Sequence, residues 1–76
     1  MAEGELQHIF GRNLRAYRQS KGLSQEQFAD FVGVHRTYMG GIERGKRNLT
    51  LVSVERICEQ LGLNPLEMLD KHYKAE

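Results

Sequence analysis

The chain has 76 residues, a formal net charge of +1, 39% hydrophobic residues and 28% charged residues. That length supports one small domain, and it holds no apolar run near the roughly 18–20 residues that a membrane span needs. Its single cysteine, Cys58, excludes an intramolecular disulfide and a cysteine-based zinc site. The opening residues lack a basic segment followed by an apolar stretch, so no secretory signal is expected, and a reducing cytoplasm is the expected setting. A domain this small buries a modest core. With no disulfide or metal to add stability, close helix packing or self-association must contribute.

Hydrophobic period points to helices throughout. Leu6, Ile9, Phe10, Leu14 and Tyr17 share one face of a first helix, and Gly22 is its expected stop. Ser24 to Gln27 reads as a capping box that opens a second, short helix. Phe28, Ala29 and Val32 are its apolar face, and Gly33 ends it. A third helix is expected from near His35, with Met39 and Ile42 inward and Gly45 as its stop. Residues 46–49 form a basic loop. Thr50 then caps a fourth helix with a buried stripe of Leu51, Val54, Ile57, Cys58 and Leu61, stopped by Gly62. Asn64-Pro65-Leu66-Glu67 is a helix start with an N-cap and a proline at the first position. The polar segment from Lys71 to Glu76 is expected to fray, which leaves an ordered core of about residues 6–70. No segment alternates as a strand would. The expected fold is all-α, with five short helices in a repressor-like domain spanning residues 1–76.

The near-neutral total hides a segregation. Residues 12–47 carry Arg12, Arg15, Arg18, Lys21, Arg36, Arg44, Lys46 and Arg47 against Glu26, Asp30 and Glu43. That segment is +5, and the remainder is −4. A local basic face is what nucleic-acid binding requires, and total charge reports it poorly. A solvated surface that happens to segregate is the alternative on charge alone.

The basic segment coincides with a pattern. Residues Gln25 through Gly45, QEQFADFVGVHRTYMGGIERG, are two short helices joined by a glycine-containing turn, with a basic residue opening the second. Small Ala29 suits a close helix approach, Gly33 suits a tight turn, and Val34 can plug that turn into the core. In such a unit one helix crosses the phosphate backbone and the next enters the major groove. The residues Gly22-Leu23-Ser24-Gln25, Arg36-Thr37-Tyr38, Ile42-Glu43-Arg44-Gly45 and Arg47-Asn48-Leu49-Thr50-Leu51 carry a resemblance to the phage-repressor or XRE-type helix-turn-helix family. The likeness runs from about Phe10 to Leu69 and is particularly similar to the controller proteins of restriction-modification systems.

Arg36 and Thr37, at the exposed start of the third helix, are the candidate base readers. An arginine chelating guanine O6 and N7 is worth roughly 1–3 kcal/mol of discrimination, and a threonine methyl suits a thymine methyl. Gln25 resembles the family's phosphate-gripping glutamine at a helix N-terminus. His35, Tyr38 and Arg44 are candidate backbone contacts. Lys46, Arg47 and Asn48 lie in the loop that, by resemblance, follows the backbone or reaches the minor groove. For each, an ordinary solvated or packed side chain is the competing reading. The resemblance also implies that Arg18 and Glu43 form a buried structural ion pair. Gly40-Gly41 departs from the family, weakens the helix by about 2 kcal/mol and removes two side chains from it. Either Arg36 and Thr37 then carry most of the readout, or the glycines admit closer backbone approach to DNA.

Cys58, on an apolar stripe, reads as core. The histidines are scattered, no phosphate-binding glycine motif is present, and neither a metal, a cofactor nor a catalytic site is expected. The expected dimer contact is Leu63, Leu66, Met68 and Leu69, shared in an unresolved way with the monomer core. A twofold dimer implies a near-palindromic operator. The resemblance implies an autoregulating controller of a restriction-modification system that acts on duplex DNA and competes with RNA polymerase. Neither a ligand-sensing domain nor a small-molecule ligand is expected. A general repressor or antitoxin of the same family, and a helical protein-interaction adaptor, remain alternatives.

Overall fold

The computed structural model describes residues 4–75. Its five helices are α1 Glu5–Ser20, α2 Gln25–Val32, α3 Arg36–Glu43, α4 Leu51–Leu61 and α5 Pro65–Met68, and there is no strand among the described residues.

Local chemistry accounts for the boundaries. Ser24 Oγ accepts from the Gln27 N–H at 3.1 Å, and Gln27 Oε1 accepts from the Ser24 N–H at 2.9 Å, which closes the capping box of α2. Thr50 Oγ1 accepts from the Ser53 N–H to start α4, and Asn64 Oδ1 accepts from the Leu66 N–H to start α5. Gly33 turns α2 into α3 in the left-handed region, φ 86°, where a side chain would strain the backbone.

Phe10, Leu14, Phe28, Ala29, Met39, Ile42, Cys58 and Met68 close the core. The α1 helix packs on α3 and α5, and α2 packs on α3 and α4. At the α1–α3 crossing Gly11 is buried, and a Cβ there would collide with the Ile42 carbonyl oxygen. The two helices therefore touch backbone to backbone, a contact that no hydrophobic periodicity announces. Burial pushes the Cys58 thiol up to about 11, so the sulfur is an inert part of the core at neutral pH.

Three expectations need correction. The segment from Lys71, expected to fray, is docked over part of its described length, and the chain just before it is tied down as well. Asn13, buried in the apolar face of α1, donates through Nδ2 to the Met68 carbonyl at 2.9 Å and the Asp70 carbonyl at 2.8 Å. Arg12 Nη2 donates to the Lys71 carbonyl at 2.8 Å, and half-buried Tyr73 packs against the core. These bonds satisfy the Met68 carbonyl at the end of α5 and two carbonyls of the segment that follows it. Glu76 lies outside the described residues. Leu51, placed in the buried stripe of α4, is 77% exposed. As the first residue of that helix it lines a surface groove instead. Met68, offered as a dimer contact, is fully buried. Met68 and Leu66 lie two apart on one helical turn and so face opposite ways.

Replacing Gly11 with alanine should lower the unfolding free energy by about 2 kcal/mol or more, because both helices must move apart. Urea denaturation of the variant checks this.

Candidate nucleic-acid interface

The site is built on α3. Its N-cap is His35, whose Nδ1 accepts from the Thr37 N–H at 3.0 Å. With one ring nitrogen committed to the cap, only Nε2 faces outward chemistry. Arg36 and Thr37 follow, both exposed. Arg36 Nη1 lies 3.6 Å from Glu26 Oε2, with both side chains more than 60% exposed. Such a surface pair is weak and leaves the guanidinium open to other partners.

Behind that surface α3 is anchored by charge. Arg18 Nε donates to Glu43 Oε2 at 2.8 Å and Nη2 to Oε1 at 3.0 Å, a bidentate pair with side chains 13% and 3% exposed. Arg18 Nη1 donates to the Leu23 carbonyl at 2.9 Å, and Gln25 Nε2 donates to Glu43 Oε1 at 3.2 Å. Among the described residues no buried side-chain polar atom lacks a partner. The cluster ties the end of α1, the α1–α2 turn, the start of α2 and the end of α3 to one carboxylate. Gln25 is therefore half-buried, with one amide hydrogen spent on Glu43. Its second hydrogen and the backbone N–H groups opening α2 are what it has for an anion.

Beyond α3, Arg44, Lys46, Arg47 and Asn48 are exposed. Tyr38 is half-buried, and the Arg47 guanidinium carbon lies 5.1 Å from its ring centroid. The basic loop is held from outside by α1. Gln7 Nε2 donates to the Arg47 carbonyl at 2.8 Å and to Asn48 Oδ1 at 2.7 Å. The His8 ring lies against Gly45, φ 71°, where a Cβ would meet its carbon and nitrogen atoms within 3 Å. Gln7 and His8 were not among the sequence candidates. Their contacts span about 40 residues and leave no local signature. Arg12 is turned to the chain's C-terminal segment, and Lys21 Nζ lies 5.4 Å from the Tyr17 ring centroid.

Gly40 and Gly41 are both buried, and their neighbours come from within the chain. A Cβ on Gly40 would lie 3.1 Å from Gln25 Oε1 and 3.2 Å from Arg44 Nη1, and one on Gly41 would lie 3.0 Å from Arg47 Nε. The room left by the two missing side chains is filled by other residues of the recognition unit.

Of the four dimer candidates, Leu66 is 78% exposed, Leu63 and Leu69 are half-buried against the core, and Met68 is internal. Leu66 and Leu69 continue into a groove with Leu51 and Val54, and from there to Leu6 and Leu49.

A short helix with an exposed basic start, braced by a second helix across a glycine turn and flanked by a cationic loop, defines a helix-turn-helix protein. Comparison with known proteins agrees. A family model described as a helix-turn-helix domain matches residues 9–71. The control protein C.BamHI of Bacillus amyloliquefaciens is 44% identical over 63 residues, 82% of this chain and 78% of that protein. C.SmaI of Serratia marcescens is 37% identical over 88% of this chain and 80% of its own length. The crystal structure of the restriction-modification controller protein C.AhdI from Aeromonas hydrophila superposes with a TM-score of 0.71 at 44% identity, covering 82% of this chain and 94% of that one. The chain belongs to the helix-turn-helix family, whose members are DNA-binding transcription regulators and not enzymes. Within that family its likeness is to the control proteins of restriction-modification systems. No helix among the described residues is long and apolar enough to cross a membrane.

Removing one partner of the Arg18–Glu43 pair strands a buried charge. The Glu43→Ala variant should lose about 3–5 kcal/mol of stability, whereas Arg36→Ala, which removes an exposed side chain, should change the urea midpoint little. Equal midpoints for the two variants would remove the structural role assigned to Glu43.

Proposed function

We propose that the protein binds a near-palindromic duplex operator as a homodimer and autoregulates a restriction-modification system. The observation that carries this reading is the exposed Arg36-Thr37 start of α3, mounted on a buried bidentate ion pair and flanked by Arg44, Lys46 and Arg47. A fixed scaffold under a mobile guanidinium is the arrangement that base readout requires: the frame sets the register, and the side chain reads. Arg36 takes guanine O6 and N7 in the major groove, and Thr37 supplies a methyl and a hydroxyl beside it. Gln25, His35, Tyr38 and Arg44 meet the phosphates. Lys46, Arg47 and Asn48 follow the backbone into the minor groove, where groove width and A·T content are reported.

The dimer uses the groove of Leu6, Leu49, Leu51, Val54, Leu66 and Leu69. It is formed by α1, α4, α5 and the loop before α4, and contains no candidate DNA contact. A twofold axis there leaves both recognition helices free to face successive major grooves about one helical turn apart. Leu66 and Leu51 supply its exposed centre, and Met68 takes no part. The residues form one domain in which regulation follows protein concentration through dimerisation and operator occupancy. The operator lies in cytoplasmic DNA, where the bound dimer competes with RNA polymerase.

Selection of bound sites from random duplexes should return symmetric half-sites about 10 base pairs apart, and asymmetric single sites would overturn the dimer reading. Binding should weaken steeply with salt. Arg36→Ala should lose roughly 1–3 kcal/mol of preference for cognate over random DNA, while Arg47→Ala weakens both and lowers the salt slope by about one. Equal losses on both duplexes in both variants would end this division of labour. Leu66→Lys should sediment as a monomer where the parent is dimeric, and bind the full operator about tenfold more weakly or worse.

A further inference from the structure

Glycine is the least favourable helix residue after proline, yet Gly41 stands inside an eight-residue helix that must hold its shape against DNA. The structure shows what its missing side chain provides. An ideal Cβ on Gly41 would lie 3.0 Å from Arg47 Nε, 3.1 Å from its Cγ and 3.5 Å from its Cδ. The arginine stem therefore runs across the helix at that point. It arrives there because α3 ends in a tight reversal. The Gly45 N–H donates to the Ile42 carbonyl at 3.0 Å and the Lys46 N–H to the Gly41 carbonyl at 2.8 Å, which folds the chain back over the last turn. The head of the same arginine lies over Tyr38, 5.1 Å from the ring centroid. Tyr38 and Gly41 are three residues apart and so are neighbours on one helical face. Stem on glycine and head on ring make a channel one side chain wide.

We propose that Gly41 is a positioning residue: its empty side-chain position seats Arg47 over Tyr38 and presents the guanidinium to DNA already ordered. This rests on the reading of Arg47 as a DNA contact. An arginine stem with its many rotamers is costly to immobilise on binding, and ordering it beforehand is worth roughly two- to tenfold in affinity. Gly40 does not share the role, since its neighbours are Gln25 and Arg44.

The test uses the full chain carrying Gly41→Ala, which forces the flexible stem to yield, and Gly41→Met, which takes its place. Both are better helix formers than glycine, so the melting temperature should hold or rise. In the parent the Arg47 Cδ protons should show an upfield ring-current shift from Tyr38, reduced in Gly41→Ala and lost in Gly41→Met. Operator affinity should fall roughly two- to tenfold in Gly41→Met and show no further fall when Gly41→Met is added to Arg47→Ala. A retained ring-current shift would overturn the seat. Loss of affinity that persists in the Arg47→Ala background would show direct obstruction of DNA and overturn the positioning role. Parent-like binding by Gly41→Met beside a weakened Arg47→Ala overturns that role alone. Parent-like binding by Arg47→Ala overturns the functional reading of that loop, and the positioning role with it.

Discussion

One carboxylate holds the helix-turn-helix together. Glu43 sits at the end of the recognition helix and accepts from Arg18 through both oxygens, with Gln25 sharing one of them. Burying such a pair carries a desolvation cost that its Coulomb attraction only partly offsets. Its effect here is geometric. A hydrophobic contact tolerates sliding, whereas a forked guanidinium on a carboxylate fixes both distance and angle. Because Arg18 also binds the Leu23 carbonyl and Gln25 opens α2, the pair sets where both helices of the motif stand relative to α1.

Around that anchor the chain separates rigid framework from reading side chains. The framework is backbone contact at Gly11, the buried aromatic and sulfur-containing core, and the Asn13 bonds that draw the C-terminal segment onto α1. The side chains proposed to read DNA are exposed and only loosely paired, as Arg36 is with Glu26. The basic loop lies between these extremes. Its backbone is tied to Gln7, its turn rests on His8, and its Arg47 is laid across α3. Electrostatic attraction to phosphate is long-ranged and undirected, so under the proposed role of this loop as a backbone contact, being held beforehand favours one register.

The exposed apolar surface has a similar logic. Leucines at a helix start and on a single-turn helix cannot all point inward, because one turn offers only one inner face. In α5 that face belongs to Met68, and Leu66 is left outside. Five helices in so short a chain bury only what their inner faces reach. The surplus is Leu6 on α1, Phe31 on α2, Leu51 and Val52 on α4 and Leu66 on α5, and the groove that Leu6, Leu51 and Leu66 line, proposed for self-association, contains none of the candidate DNA contacts.

Helix class, helix order, caps and the helix-turn-helix were legible from residue types and spacing, because each depends on bonds within a few positions: Ser24 with Gln27, Asn64 with Leu66, the left-handed turn at Gly33. The family likeness added the Arg18–Glu43 pair, which spacing alone does not announce. What stayed hidden depends on residues far apart in the chain. Gln7 reaches the loop about 40 positions on, Asn13 reaches the carbonyls after α5, and Gly11 touches α3, and in none of these does the neighbouring sequence signal the partner. The same holds for the division of apolar residues between core and surface at Leu51, Leu66 and Met68. Periodicity assigns a residue to a face of its helix, but what lies opposite that face is set by how the helices come together.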